Sequence, residues 1–194
     1  MKQEATGREQ LLDRIADYCL GHGVADLTLR SVGRAVGSNN RMLLYYFGSK
    51  EAMISAALQH AGARFPDIHR AFELLRRTDR PLADCLDDTW RAISAEANLP
   101  FTRLFFEVFG LAAHQPGRFD AFLGSVGHDW SAEVAGVFRR TGTTPARAHR
   151  IGIEIVALWR GLQMDLLSGG GRARINKAHR EAVNRVVHNS STAT

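Results

Sequence analysis

Thr28-Leu29-Arg30-Ser31-Val32-Gly33-Arg34-Ala35-Val36-Gly37-Ser38-Asn39-Asn40-Arg41-Met42-Leu43-Leu44-Tyr45-Tyr46-Phe47-Gly48-Ser49-Lys50-Glu51 is the stretch whose local chemistry decides the fold of this chain. Thr28 suits the N-cap of a short helix over 29–36, in which Val32, Ala35 and Val36 face inward and which Gly37 stops. Ser38 or Asn39 suits the cap of a next helix over 40–46. Ser49 suits the cap of another that begins with Lys50, Glu51 and Ala52 and runs to about residue 65. Three caps in so little sequence require several short helices joined by tight corners. Just upstream, Leu11, Leu12, Ile15, Ala16, Cys19 and Leu20 recur at helical spacing, giving a first helix over about 8–20 that Gly21 and Gly23 end.

The charges of the same stretch are one-sided. Arg30, Arg34, Arg41 and Lys50 are met by no Asp or Glu between residues 28 and 50, whereas Glu4, Glu9, Asp13, Asp17 and Asp26 precede it and Glu51 follows. Phosphate repels carboxylates and releases counterions when Lys or Arg approaches, so this asymmetry suits double-stranded DNA better than the mild whole-chain charge of +5 does. A helix entering the major groove needs planar polar side chains near its start. Asn39 and Asn40 carry amides suited to adenine edges, and Arg41 a guanidinium suited to guanine or phosphate. Thr28, Arg30 and the first-turn amides of the preceding helix suit the DNA backbone, and Arg34 shares a helical face with Arg30. Tyr45 and Tyr46 add hydroxyls within reach of phosphate, Lys50 adds an ammonium at the start of a helix, and Phe47 is read as core.

In order and spacing the quoted run resembles the DNA-binding signature of the TetR family of regulators, in which an alanine-rich helix, a Gly-Val-Ser turn, Leu-Tyr-x-Tyr-Phe and Ser-Lys-Glu follow one another. The clear resemblance covers about residues 11–58. It implies that Asn39, Asn40 and Arg41 begin the recognition helix, that Tyr45 or Tyr46 touches the DNA backbone, and that Lys50 contacts phosphate. Leu44 stands where the family usually has its first tyrosine, and Ser38-Asn39 where it commonly has Val-Ser. Two tyrosines therefore remain candidates for the backbone contact, and two residues for the cap. The rest of the chain matches only the family's general plan of a divergent helical domain for ligand binding and dimerisation.

Beyond the quoted stretch, apolar residues keep recurring at three and four. Pro66 is expected to close the fourth helix, and 76–81 reads as a polar break. Helical patterns follow over 82–97, 101–113, 119–141, 145–167 and 172–188, with 189–194 as a frayed tail. The breaks between them are Asn98-Leu99-Pro100, Gln115-Pro116-Gly117, Gly142-Thr143-Thr144 and Ser168-Gly169-Gly170-Gly171. The chain therefore reads as all-α: a three-helix helix-turn-helix DNA-binding head over 1–59, then a helical-bundle ligand-binding and dimerisation domain over 60–194.

Hydrophobic residues at 45% and charged residues at 23% are ordinary for a globular protein. A polar start and the lack of any long uncharged apolar run predict a soluble, cytoplasmic protein with no membrane association. Cys19 and Cys85 read as small buried thiols. The eight histidines show no compact metal-ligand spacing, so no metal and no cofactor are expected. No nucleophile, base and orienting group stand together, so no catalytic site is expected either, and the chain does not read as an enzyme. Phe101, Phe105, Phe106 and Phe109 share a stripe with Leu104 and read mainly as core, with Phe105 and Phe109 as candidate lining of a ligand pocket. Trp90, Trp130, Trp159 and Gln163 join them as candidates, because their N–H groups in apolar helices need partners that a bound molecule can provide.

One short recognition helix reads few base pairs, so operator selectivity calls for two heads about 34–36 Å apart on a near-palindromic site. A homodimer through the last two long helices is expected, with Ile151, Ile155, Leu158, Leu162 and Leu166 as one apolar stripe and Ala182, Val186 and Val187 as the other. These features predict a sequence-specific transcriptional regulator on operator DNA, a repressor released by a small, largely apolar effector. Two alternatives are an unresponsive architectural DNA-binding dimer, and a helical small-molecule carrier or enzyme with a vestigial head.

Overall fold

A computed structural model of the chain describes residues 2–191, and every described element is helical. In order these are α1 (Lys2–His22), α2 (Leu29–Ala35), α3 (Asn40–Phe47), α4 (Lys50–Gly62), α5 (Pro66–Arg76), α6 (Leu82–Ile93), α7 (Leu99–His114), α8 (Asp120–Arg140), α9 (Pro145–Leu167) and α10 (Arg172–Ser191). Short 3₁₀ turns at Glu96–Asn98 and Pro116–Arg118 flank α7. α1 begins well before residue 8, and α10 carries three residues of the expected tail in helical form; 192–194 lie outside the described residues.

One expectation is corrected at Pro66. α4 stops at Gly62, and Pro66 opens a further helix instead of closing the fourth. Proline's fixed φ suits the first helical turn, where its missing N–H has no intrahelical partner to lose. Asp67 follows in that first turn, and Ala71 and Leu75, four apart, are fully buried. Pro100 similarly lies inside the first turn of α7 and does not mark a break before it.

The chain forms two compact units. The first comprises the described residues up to Phe65 together with Leu99–Gly124; the second comprises Pro66–Asn98 and the described residues from Ser125 onward. These units do not coincide with a division at Gln59, because α7 packs with α1 and α4. The helices α1 to α4 by themselves enclose too little apolar surface to be closed on all sides. Leu104, Val108 and Ala112, spaced by four along α7, add buried residues to those of α1 and α4, among them Ile15, Ala16, Met53, Ile54 and Ala57.

The second unit has its own core, with Leu86, Trp90, Phe138, Ile155, Trp159 and Ile175 almost wholly buried. α8 and α9 touch backbone to side at Gly152, where any added Cβ would overlap the Ser131 carbonyl. Ile151, Ile155 and Leu162 belong to this core, and Leu158, Leu166, Val186 and Val187 pack half-buried against it. The stripe expected to meet a partner subunit is therefore largely satisfied within the chain. The exposed apolar face of α9 is a different one, on which Ile153, Ala157, Gly161 and Met164 recur at helical spacing.

Candidate nucleic-acid interface

All three caps form. The Thr28 hydroxyl accepts from Ser31 N (3.0 Å), and Thr28 N donates to Ser31 Oγ (3.1 Å), a reciprocal capping box. Asn39, not Ser38, caps α3, its Oδ1 accepting from Met42 N at 3.0 Å; Ser49 Oγ caps α4 through Ala52 N at 3.0 Å. Each such cap stabilises its helix by about 1 kcal/mol. The corner between α2 and α3 depends on two glycines. Gly37 takes φ +66°, a left-handed conformation that favours glycine. Gly33 lets the chain fold back, since a Cβ there would stand 3.3 Å from Asn39 Cα, and Gly33 O accepts from Ser38 N at 2.7 Å.

Leu43 and Phe47, four apart, are buried and fix which way α3 faces. With those two inward, Arg41 and Tyr45 fall on the opposite side of the helix, flanked by Met42 and Leu44. Tyr45 is 70% exposed, Leu44 42% and Met42 38%. Asn39, Asn40, Arg41, Arg30 and Arg34 are exposed as well. The two tyrosines are thereby told apart. Tyr45 stands out beside Arg41, whereas Tyr46 is half-buried, its hydroxyl 3.8 Å from where a side chain on Gly7 would begin. Arg8 lies over the Phe47 ring, 5.2 Å from its centroid, tying α1 to the far end of α3.

Two expected phosphate donors have internal partners. The Thr28 hydroxyl donates to Ser31 Oγ (3.1 Å) as part of its cap. Lys50 Nζ donates to Leu27 O (3.3 Å), joining the start of α4 to the loop before α2; an ammonium has two further protons to offer. Two acids of α1 are tied to partners outside α2 and α3. Asp13 pairs with His60 of α4 (2.6 Å) and with Arg64 just beyond it (2.7 Å), and Asp17 pairs with Arg64. Hydrogen bonds from His60 and then Arg64 hold the Asp13 carboxyl below the usual carboxylate range. No acid enters the first turn of α2 or α3.

The six aromatic and amide residues read as ligand candidates divide between the units. Phe105 and Phe109 of α7 are half-buried in the first unit, where Phe105 packs against Phe106, Phe109 and Phe122 with centroids 5.2–6.2 Å apart. In the second unit Trp90 Nε1 donates to Asn176 Oδ1 (2.9 Å), Trp159 Nε1 to His179 Nε2 (3.0 Å), and Gln163 Nε2 to Ile93 O (3.3 Å). The hydrogen-bond demand that singled these three out is met by the chain itself. Trp130 is half-buried, edge-on to Trp159 at 6.1 Å and packed on Phe72 at 4.1 Å. Beside it an open groove of about 540 Å³ is lined by Phe72, Glu73, Arg76, Asp129, Ala132 and Glu133, four of which are charged, with Arg76 paired to Glu133. Sequence reading missed His179, which is wholly buried; only its place among the apolar residues of α10 hinted at that.

Among the described residues no group of three or more His, Cys, Asp or Glu is placed to hold a metal ion, and no helix is long and apolar enough to cross a membrane. Both cysteines are buried and free, and burial pushes the Cys19 thiol up to about 12.

No protein-family model matches the chain, and no curated protein sequence does. Solved structures match it over nearly its whole length. A transcriptional regulator from Rhodococcus sp. Rha1 superposes with a TM-score of 0.77 at 16% identity, covering 96% of this chain and 99% of its own. A TetR transcription regulator from Haloarcula marismortui gives 0.71 at 16% identity, with 96% and 98% covered. The multidrug binding protein EbrR, solved with imidazole, gives 0.69 at 20% identity, with 93% and 89% covered. At such identities the likeness is one of fold: this chain has the all-helical fold of TetR-type transcription regulators.

Proposed function

We propose that this chain is a sequence-specific DNA-binding transcriptional regulator of the TetR type that acts as a homodimer on double-stranded operator DNA. The observation that carries the reading is the exposed, acid-free face of Arg30, Arg34, Asn40, Arg41 and Tyr45 on a capped helix-turn-helix. α3 is the recognition helix, with Asn40 and Arg41 reading base edges from its first turn. Arg30, Arg34 and Lys50 serve the phosphates, with Tyr45 in preference to Tyr46 because it alone is fully outward. Asn39 has committed its carbonyl oxygen to the cap and contributes its amide N–H₂ at most.

The dimer is assigned to the last two long helices, on the face of α9 that carries Ile153, Ala157, Gly161 and Met164. Two exposed large apolar residues frame two small ones there, which lets a second helix approach closely. The regulator is read as a cytoplasmic, non-enzymatic repressor released by a small, largely apolar effector, a role that fits a fold shared with a multidrug binding protein. Of the side chains considered for that effector, Phe105, Phe109 and Trp130 remain the better candidates, being half-buried with apolar surface to offer. Trp90 and Trp159 are core residues and Gln163 is half-buried, and all three have partners of their own. Such a molecule acts only through different affinity for the DNA-competent and released states.

Selection of duplexes from a random pool by the purified full chain tests the reading. The expected product is a near-palindromic site, bound with a salt slope of roughly −4 or steeper as several Lys and Arg in each of two heads displace counterions. Enrichment of no sequence over random DNA would overturn it.

A further inference from the structure

In sequence the basic stretch is bordered by the loop carrying Asp26 before it and by Glu51 after it. Both borders are held by side chains from Leu99–Gly124, a segment distant in sequence but part of the same compact unit. On the α2 side, Glu107 of α7 accepts a 2.6 Å hydrogen bond from Ala25 N, across 82 residues of sequence. Room for that carboxylate exists because residue 23 is glycine: a Cβ there would stand 2.5 and 2.8 Å from the two carboxylate oxygens, and its φ of +73° favours glycine in any case. On the α4 side, Arg118 of the 3₁₀ turn pairs with Glu51 at 3.0 Å, and the Glu51 side chain is only 13% exposed. Lys50, next to Glu51, bonds Leu27 O, two residues from Ala25. α7, the loop before α2, the start of α4 and the 3₁₀ turn are thus joined in one circuit of polar contacts around the helix-turn-helix.

We infer that Glu107 and Arg118 are positioning residues for DNA binding, and that through them α7 sets where the helix-turn-helix stands. Ala25 and Leu27 lead directly into the cap of α2, which carries Arg30 and Arg34, and Glu51 adjoins Lys50. Releasing either bond frees the backbone on which those cations are mounted. A displacement of α7 is consequently transmitted to both edges of the face, and not only through the packing of α1 on α4. This inference rests on the proposed DNA-binding reading.

The sign of the effect separates positioning from simple charge. Glu107→Ala deletes an anion near the basic face, so electrostatics alone calls for unchanged or tighter DNA binding. Positioning calls for weaker binding, by about 10-fold, the scale of one hydrogen bond to a charged group. Glu107→Gln keeps an acceptor oxygen and is expected to bind within about 3-fold of the parent. Arg118→Gln is expected to weaken binding in the parent but to add nothing in a Glu51→Gln background, since it acts through Glu51.

The experiment measures Kd for the duplex enriched by the parent chain. Cooperative thermal unfolding shows that each variant is folded, and hydrogen exchange at the Ala25 amide reports the Glu107 bond itself. Weaker binding by Glu107→Ala, rescue in Glu107→Gln and faster Ala25 exchange are the expected results. A parent that binds while Glu107→Ala binds equally well or more tightly overturns the positioning role alone. A parent that enriches no duplex overturns this inference together with the DNA-binding reading.

Discussion

His179 gives the second unit a specific acid sensitivity. Its imidazole is wholly buried, stacked on Trp90 with centroids 5.1 Å apart and planes within 17°, and its Nε2 accepts from Trp159 Nε1. The neutral ring therefore carries its proton on Nδ1, which lies 3.4 Å from Asp87 Oδ1 and makes no hydrogen bond. Burial pushes the group down to about 4 from 6.5, against the pull of Asp87 and helped by Arg180 and Arg91. A second proton on Nε2 would also point at the Trp159 N–H. Protonation is harder in the folded than in the unfolded chain, so this stabilisation is complete above about pH 6.5 and is lost as pH falls toward 4. At 1.36 kcal/mol per pH unit the loss is about 3 kcal/mol. His179→Phe keeps a stacking ring but cannot titrate. It leaves Trp159 Nε1 without its acceptor, which costs about 1–3 kcal/mol at neutral pH. Urea unfolding followed by circular dichroism from about pH 7 to pH 4 compares the two proteins. Acidification is expected to shift the stability difference by about 3 kcal/mol against the parent, enough to cancel or reverse its advantage at neutral pH; a constant difference would refute the reasoning.

Other outcomes follow from single contacts. Asn39→Ala removes the α3 cap and is expected to cost about 1 kcal/mol of stability in chemical denaturation, with a further loss of DNA affinity as the recognition helix frays. Gly152→Ala places a methyl group against the Ser131 carbonyl and is expected to destabilise by about 1–3 kcal/mol, read as a lower Tm. Ile153→Glu with Met164→Glu puts charge on the exposed face of α9 and is expected to give a folded monomer by light scattering, with operator binding lost because two heads are no longer linked. Retention of a dimer in that variant would move the interface elsewhere.

What sequence made legible was local. Thr28, Asn39 and Ser49 cap helices through amides three residues away, so residue type and spacing suffice to place α2, α3 and the start of α4. The outward face of α3 follows from Leu43 and Phe47 in the same way. What stayed illegible depends on partners far along the chain. The stripe through Ile151, Ile155 and Leu162 announces burial, but periodicity does not say whether the cover is the chain's own core or another subunit; here it is the core. Trp90, Trp159 and Gln163 need hydrogen-bond partners, and only the fold supplies Asn176, His179 and Ile93 O. Glu107 sits in an apolar stretch with no local sign that it reaches Ala25. Pro66 was ambiguous because proline both ends one helix and suits the first turn of the next.

The most direct test of the central claim is Kd for the enriched duplex and for a random duplex, measured by fluorescence anisotropy for the parent chain and for Asn40→Ala with Arg41→Ala. Both side chains are exposed, so the variant should fold and dimerise normally. The expected result is tight, salt-sensitive, selective binding by the parent, and a variant that has lost its preference for the enriched duplex, with about 1–3 kcal/mol forfeited for each base-reading pair. A variant that still discriminates the two duplexes as well as the parent would contradict the account, because α3 would then not be the element that reads the sequence.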